Sequence, residues 1–400
     1  MVRFLTAGES HGQALVTILE GIPAGLTIDF DAVTAELRRR QGGYGRGRRM
    51  AIESDRAEIL SGVRNGETIG GPIALLIRNK DWDNWQQTMH VGAEAPESGG
   101  ARRAAVTRPR PGHADLAGAV KYGRADLRDV LERASARETA ARVAAGAIAR
   151  QLLGRFGIEI ASHVFALGPI ALDDHLPVSF ERARQLPADS PLRCVDDGLA
   201  AEMIKTIDRA REAGDTVGGA FEVIVRGVPP GLGSYTQWDR KLDGRLAQAL
   251  MSIPAIKAVG IGRGPAVATL PGSRMHDEIV LGDRARGVPG LARPTNNAGG
   301  LEGGVTNGED LRVAAYMKPI STLMKPLRSV DLDTMTEGPA AIERSDVCAV
   351  PAASVVGEAM VALILADVFV EKFGGDAIAD VERAHAAWRE ALAARFAPSR

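Results

Sequence analysis

Apolar positions along the chain alternate in short runs near the N-terminus and gather into longer helical patterns toward the C-terminus. Strand-like runs open the chain at 2–5 and 14–19, and 51–79 reads as further strands separated by turns. A helix is expected over 30–41, with Asp29 as its cap. Residues 80–112 are dense in Gly, Pro and polar side chains and read as a long irregular loop. The clearest helix is expected from Ala136 to about Phe156, opened by the capping-box pattern Ser135–Glu138. Strand-like runs recur at 158–167 and 221–228, and helical patterns at 197–213, 241–252, 353–373 and 377–396. The stretch 353–373 is apolar on every face, which is the mark of a helix buried between layers. Strands and helices mix without strict βαβ alternation. The predicted class is therefore α+β, with sheets covering buried helices, in one domain over residues 1–400.

Composition narrows this picture. Aromatic residues make up only 4% of the chain, so its core must be built mostly from Ala, Val, Leu and Ile. The 49 basic and 50 acidic residues nearly cancel, which argues against a dedicated nucleic-acid binder. Cys194 and Cys348 form no paired spacing and no CxxC, so neither a disulfide framework nor a zinc site is implied, and no metal is expected. The N-terminus lacks a signal-like apolar run, and "AMVALILADVFV" is interrupted by Asp367 and too short to span a bilayer. These features predict a cytoplasmic protein with no membrane segment.

Against that neutral background, "RRRQGGYGRGRRM" concentrates six arginines in residues 38–50. Successive helical residues point about 100° apart, so Arg38, Arg39 and Arg40 cannot all face one ligand. Arg38 and Arg39 suit either a solvated helix end or a ligand. Arg46, Arg48 and Arg49 follow a run of glycines, on a loop able to fold onto an anion with planar guanidinium forks. The spacing is no dinucleotide fingerprint, because it follows a helix and not a strand.

Four further segments carry candidate chemistry. "TAGESHGQA" sets Ser10 and His11 between Gly8 and Gly12, either as a plain turn or as a proton-exchanging pair close to a ligand. No GxSxG elbow accompanies it. "TRPRPGHAD" stiffens the approach to His113 with two prolines, beside Arg108, Arg110 and Asp115. "ERASARET" places Arg133 and Arg137 around Ser135 at a helix start, where free N–H groups favour an anion. Residues 296–322 combine clustered glycines with "KPIST" and lack the GK[ST] of a nucleotide loop. "ERSDVCAVPAA" adds Arg344 and Asp346 just before the buried helix.

Taken together, "GESHGQALVTILEGIPAG", "ERASARETAARVAAGAI" and "RSDVCAVPAASVVGEAM", with "RRRQGGYGRGRRM", "TRPRPGHAD", "GGLEGG" and "MKPIST" in order between them, closely resemble the chorismate synthase family over roughly residues 1–375. The resemblance implies a β-α-β sandwich assembled as a homotetramer. It implies a lyase that converts 5-enolpyruvylshikimate 3-phosphate to chorismate and phosphate by 1,4-anti elimination. Reduced FMN would be required without net redox change, supplied by NADPH or by an external flavin reductase. By position, Ser10, Arg40, Arg46, Arg49, Arg110, Ser135, Arg137 and Arg344 match substrate-facing residues. Arg133, Ala134, Ser135, Ala255, Gly303, Lys318, Pro319, Ile320, Ser321, Thr322 and Arg344 match cofactor contacts, and Arg40 and Arg46 match NADP contacts. His11 lies where the family's histidine protonates the leaving phosphate. His113 corresponds to the histidine near flavin N1, and Asp346 to the aspartate that helps flavin N5 take the ring proton.

The chain departs from the family's pattern at "KAVGIGRGP", residues 257–265, where Gly260, Arg263 and Pro265 replace other residue types. Two rival readings fit the sequence less well. An RG-type RNA-binding arm would require disorder, repetition and a basic total, none of which the sequence shows. A catalytically lapsed relative would not be expected to keep His11, His113 and Asp346.

Overall fold

The computed structural model describes residues 1–47, 55–94, 103–282, 287–342 and 346–396. Four strands, β1 (Arg3–Ala7), β2 (Ala14–Glu20), β3 (Ala57–Ile59) and β4 (Ile73–Arg78), form an antiparallel sheet in the order β1-β2-β4-β3. Its register pairs Leu15 with Ile77 and Leu19 with Ile73, and these four side chains share the buried face. Intervening positions are more open, the alternation expected of a sheet covered on one side.

A second antiparallel sheet holds β5 (Glu159–Leu167), β6 (Ile170–Ala171), β7 (Gly219–Arg226), β8 (Ile256–Ile261) and β9 (Leu311–Met317), in the order β8-β9-β7-β5-β6. Here both faces are covered. Phe221, Val223 and Val225 of β7 join the main core, while Ile224 packs with Phe180 and Ala183, and Ala220 with Phe165 and Ala314. That is why β5 and β7 read as nearly unbroken apolar runs.

Seven helices of eight or more residues accompany the sheets: α1 (Phe30–Gln41), α2 (Asp115–Tyr122), α3 (Thr139–Gly154), α4 (Asp197–Glu212), α5 (Leu242–Met251), α6 (Val350–Phe373) and α7 (Ile378–Arg395), counted among the described residues. Asp29 caps α1 as expected, its carboxylate accepting from Ala32 N–H at 2.9 Å. α3 packs on β2 and β4 of the first sheet, and α6 packs on β5 and β7 of the second. The two helices lie against each other, with α1 beside both. One core cluster runs from Val2 to Val381.

At 24 residues α6 is long and apolar enough to cross a membrane, so the shortness read from the sequence does not hold. Its burial decides the matter: 89% of its most apolar window is covered by protein. α7 docks more loosely, through Phe156, Phe369, Phe373, His385 and Trp388 in a ring cluster.

The contact between α3 and α6 depends on Gly146. A Cβ there would fall 2.4 Å from Ala359 Cβ and 2.6 Å from its Cα. In an open helix Gly→Ala stabilises by about 1 kcal/mol. At this crossing the backbones must separate instead, so Gly146→Ala is expected to destabilise by about 1–3 kcal/mol. Denaturant melting reads the sign directly, and a gain in stability would contradict the packing.

Candidate active site

The start of α3 collects the first group of candidate residues. A short 3₁₀ turn, Ala136–Glu138, precedes the α-helix, and Ser135 caps it by accepting from Arg137 N–H at 3.3 Å. The reciprocal half of the expected capping box is absent: the Glu138 carboxylate takes Arg142, one turn on. Ser135 Oγ donates to Ser10 Oγ at 3.2 Å, which places the N-terminal "ESHG" turn against this helix start. Arg137 grips Asp55 with both guanidinium ends, at 2.5 and 2.8 Å. Arg40, only 3% exposed, reaches from the end of α1 to Thr139 Oγ1 and to the Ala136 carbonyl, both at 2.9 Å. Its Nη1 stands 3.9 Å from Asp55.

His11 lies beside this group. Its Nδ1 is 2.9 Å from both oxygens of Glu132, and its ring stacks on Trp85 at 3.7 Å between centroids. Burial alone would raise the Glu132 carboxyl, but hydrogen bonds and charge from His11, with Arg128 behind, hold it below its usual range.

A second group forms on the loop before α2. His113 Nδ1 is 2.5 Å from Asp115 Oδ1, and Arg110 binds the same carboxylate through Nε at 2.8 Å and its own N–H at 3.0 Å. Arg110 Nη1 also reaches Thr322 Oγ1 at 3.1 Å. Asp115 is fully buried; burial pushes its carboxyl up, but bonds from His113 and Arg110 outweigh that and leave it far below the ordinary range. Lys318 Nζ donates to the Gly112 carbonyl at 2.9 Å, and Lys318 N–H to the Ala255 carbonyl at the same distance. Burial, then the Lys257 charge, lowers the Lys318 ammonium. Arg110, His113, Ala255 and the Lys318–Thr322 segment are thus one neighbourhood. The two groups meet through α2, which packs on the helical turn Arg128–Leu131 that leads into Glu132.

A third contact joins Arg46 to Asp346 at 2.6 Å, with Gly47 N–H donating to the same carboxylate at 2.7 Å. It locks the glycine loop after α1 to the approach to α6.

Several expectations change. Arg38 is exposed, as a solvated helix end would be, but Arg39 is not solvated: it bonds Glu358 through both terminal nitrogens, at 2.8 and 2.9 Å. Arg133 binds the Gly8 and Thr6 carbonyls and so braces β1. Among the described contacts, Gly303 belongs to neither group. It turns the ribbon Leu301–Glu302/Val305–Thr306 at φ 63°, with Tyr235 Cβ 4.0 Å from where a side chain would start. Arg48, Arg49 and Arg344 lie outside the described residues.

In the departing loop, a Cβ at Gly260 would sit 2.8 Å from Gly264 Cα. The same Cβ would lie 3.4 Å from Pro265 Cδ, so Gly260 makes room for the turn that carries Pro265, while Arg263 pairs with Asp174 at 3.0 Å. Sequence reasoning did not single out Asp55, Glu132 or Trp85. Glu132 opens a motif already noted, whereas Asp55 has no local signal because its partner is 82 residues away.

A family model described as chorismate synthase matches residues 2–370. The chain belongs to the chorismate synthase family. A Moorella thermoacetica protein named chorismate synthase is 58% identical over 392 residues, 98% of this chain and 99% of its own. One from Desulforudis audaxviator is 55% identical, covering 99% of this chain and all of its own. A solved structure described as "Crystal Structure of Chorismate Synthase" superposes with a TM-score of 0.77 at 43% identity, covering 98% of each chain. The activity is that of the family, a lyase of the shikimate pathway leading to aromatic biosynthesis.

Proposed function

We propose that the chain performs this activity as a 1,4-anti elimination of phosphate from 5-enolpyruvylshikimate 3-phosphate, dependent on reduced FMN and without net redox change. The observation that carries the reading is the gathering of Ser10, His11, Ser135, Arg137 and Arg40 at one helix start, from segments far apart in sequence. A substrate with two carboxylates and a phosphate needs rigid cations, and these side chains are held by bonds that precede binding. His11 is the acid for the departing phosphate, which must gain a proton or a cation as its C–O bond breaks. Arg46 pairs with Asp346, and Asp346 is the carboxylate assigned to the ring proton. Arg49 and Arg344 complete the substrate contacts.

The donor set around Lys318 fits a phosphorylated, anionic cofactor: an ammonium, the Ser321 and Thr322 hydroxyls, and Arg110 with His113 close by. Reduced FMN, when bound there, supplies the electron-rich ring on which the elimination depends. Lys318, Thr322 and Arg110 would hold it, with His113 available beside them to hold or move a proton.

The chain works as one domain of the β-α-β sandwich type, in the cytoplasm, as a homotetramer. Tyr235 and Trp238, 78% and 83% exposed near the Gly303 ribbon, offer an aromatic surface that a second copy would cover. The reductant is either NADPH acting at Arg40 and Arg46 or a separate flavin reductase. NADPH oxidation by the purified chain with FMN separates these two.

Anaerobic turnover, followed by phosphate release, tests the reading. Release is expected to continue with reduced FMN and to be absent with oxidised FMN and no reductant. Sustained release under the second condition would overturn it.

A further inference from the structure

We propose that Glu132 is the positioning residue for His11, fixing which imidazole nitrogen exchanges a proton with the departing phosphate. This rests on His11 as the acid of that step. Glu132 holds the turn at three points. Its backbone carbonyl accepts from Ser10 N–H at 3.0 Å, its Oε2 accepts from His11 N–H at 2.9 Å, and both carboxylate oxygens lie 2.9 Å from His11 Nδ1. An ionised carboxylate can only accept, so Nδ1 must carry a hydrogen in either charge state of the ring. The nitrogen left to exchange a proton is then Nε2.

The surroundings keep this arrangement from turning over. The His11 ring lies on Trp85 with 20° between planes, and Trp85 is itself held by its Nε1–H donating to Asp81 Oδ2 at 2.9 Å. A half-turn of the imidazole would bring Nε2 to Glu132 only by breaking the Nδ1 bonds. Charged groups around the pair favour an ionised Glu132. Arg128 Nη1 lies 3.4 Å from Glu132 Oε1, and the Arg103 guanidinium lies 3.8 Å from the centre of the Trp85 ring. Glu9, two residues before His11, is the remaining acid on the turn. The fully buried Glu132 side chain has His11 and Arg128 to satisfy it.

The chemistry balances without a second proton on the carboxylate. As the C–O bond breaks, its electron pair stays with the phosphate oxygen, and the Nε2 proton passes to that phosphate. The neutral ring keeps its Nδ1 hydrogen on Glu132, which stays ionised throughout. The carboxylate therefore orients the ring both before and after transfer.

Glu132→Gln tests this, because the amide keeps the shape and can still accept from His11 N–H. With saturating reduced FMN, kcat is expected to fall about 10²–10⁴-fold, the range for losing an oriented proton donor. KM should change less than about threefold. Nitrogen NMR of labelled histidine should show Nδ1-protonated His11 in the native protein, and a mixture or the other tautomer in Glu132→Gln. An Nε2-protonated neutral ring in the native protein would overturn the proposal even if the variant failed to fold. An unmoved tautomer in Glu132→Gln would overturn it too, and leave Glu132 a structural brace. His11→Ala decides the underlying reading separately: unchanged phosphate release would remove His11 as the acid, and with it the role proposed here.

Discussion

His113→Ala is expected to lower kcat by about 10²–10⁴, the loss typical of a removed general acid or base, while the protein stays folded. The structure explains why activity and folding should separate. His113 is 18% exposed at its side chain and sits on a loop, so little core is lost with the ring. Its partner Asp115 is fully buried, and a buried carboxylate left alone would be costly. It would not be left alone: Arg110 binds it through Nε at 2.8 Å, through its backbone N–H at 3.0 Å and through Nη2 at 3.1 Å. What disappears is the imidazole that Asp115 and Arg110 hold, one residue from the Gly112 carbonyl that Lys318 binds. Kinetics at saturating reduced FMN, together with thermal melting, check both halves. A variant that melts far below the parent but has normal activity per folded molecule would show His113 to be a turn residue only.

The same pair shows how far the sequence could be read. The stiffened "RPRPGHAD" motif pointed to His113 from local composition, and its brace Asp115 stands two residues away in the same motif. α1 and its cap were legible because capping chemistry is local: Asp29 bonds Ala32, three residues on. α3 was legible for the same reason, though Glu138 turned to Arg142 and the first turn tightened to 3₁₀. Long-range pairing was not legible. Nothing near Asp55 announces that Arg137 will close on it. Arg39 suited either a solvated helix end or a ligand, and its actual partner was in neither reading, because Glu358 lies 319 residues further along. The apolar stretch within α6 was recognised as buried from its uniform hydropathy, yet its length was underestimated. The helix begins at Val350, three residues before the expected start at 353, because Pro351 sits in its first turn, where a missing N–H costs nothing.

Replacing Glu358 by Ala is expected to cost about 3–5 kcal/mol of stability, the range for breaking a buried ion pair from one side. Against the 5–15 kcal/mol of a typical domain, that is a large fraction. Glu358 is completely buried in the middle of α6. It accepts from Arg39 of α1 at 2.8 and 2.9 Å, from Arg193 at 3.0 Å and from Ser162 of β5 at 2.6 Å, and Arg150 of α3 closes on it as well. One carboxylate thereby ties α1, α3, α6 and the second sheet. Its loss would leave Arg193, 95% buried, without its direct carboxylate partner, and Glu36, the acid that remains near it, already pairs with Arg39 and Arg150. Acid should mimic the mutation. Burial pushes the Glu358 carboxyl up, but Arg39, Arg150 and Arg193 together hold it well below the ordinary glutamate range. A folded-state value below the unfolded one of about 4.3 means the stabilisation is complete above that pH and fades as pH falls through and beneath it. Glu358→Gln removes the titrating group while preserving its shape. Its unfolding free energy should be lower than the parent's at pH 7 and should fall less steeply between about pH 5 and 3. Denaturant titrations of the two proteins across that range measure the difference in slope. Parallel curves would mean that the buried carboxylate contributes nothing to acid sensitivity and that the arginines are held by other contacts.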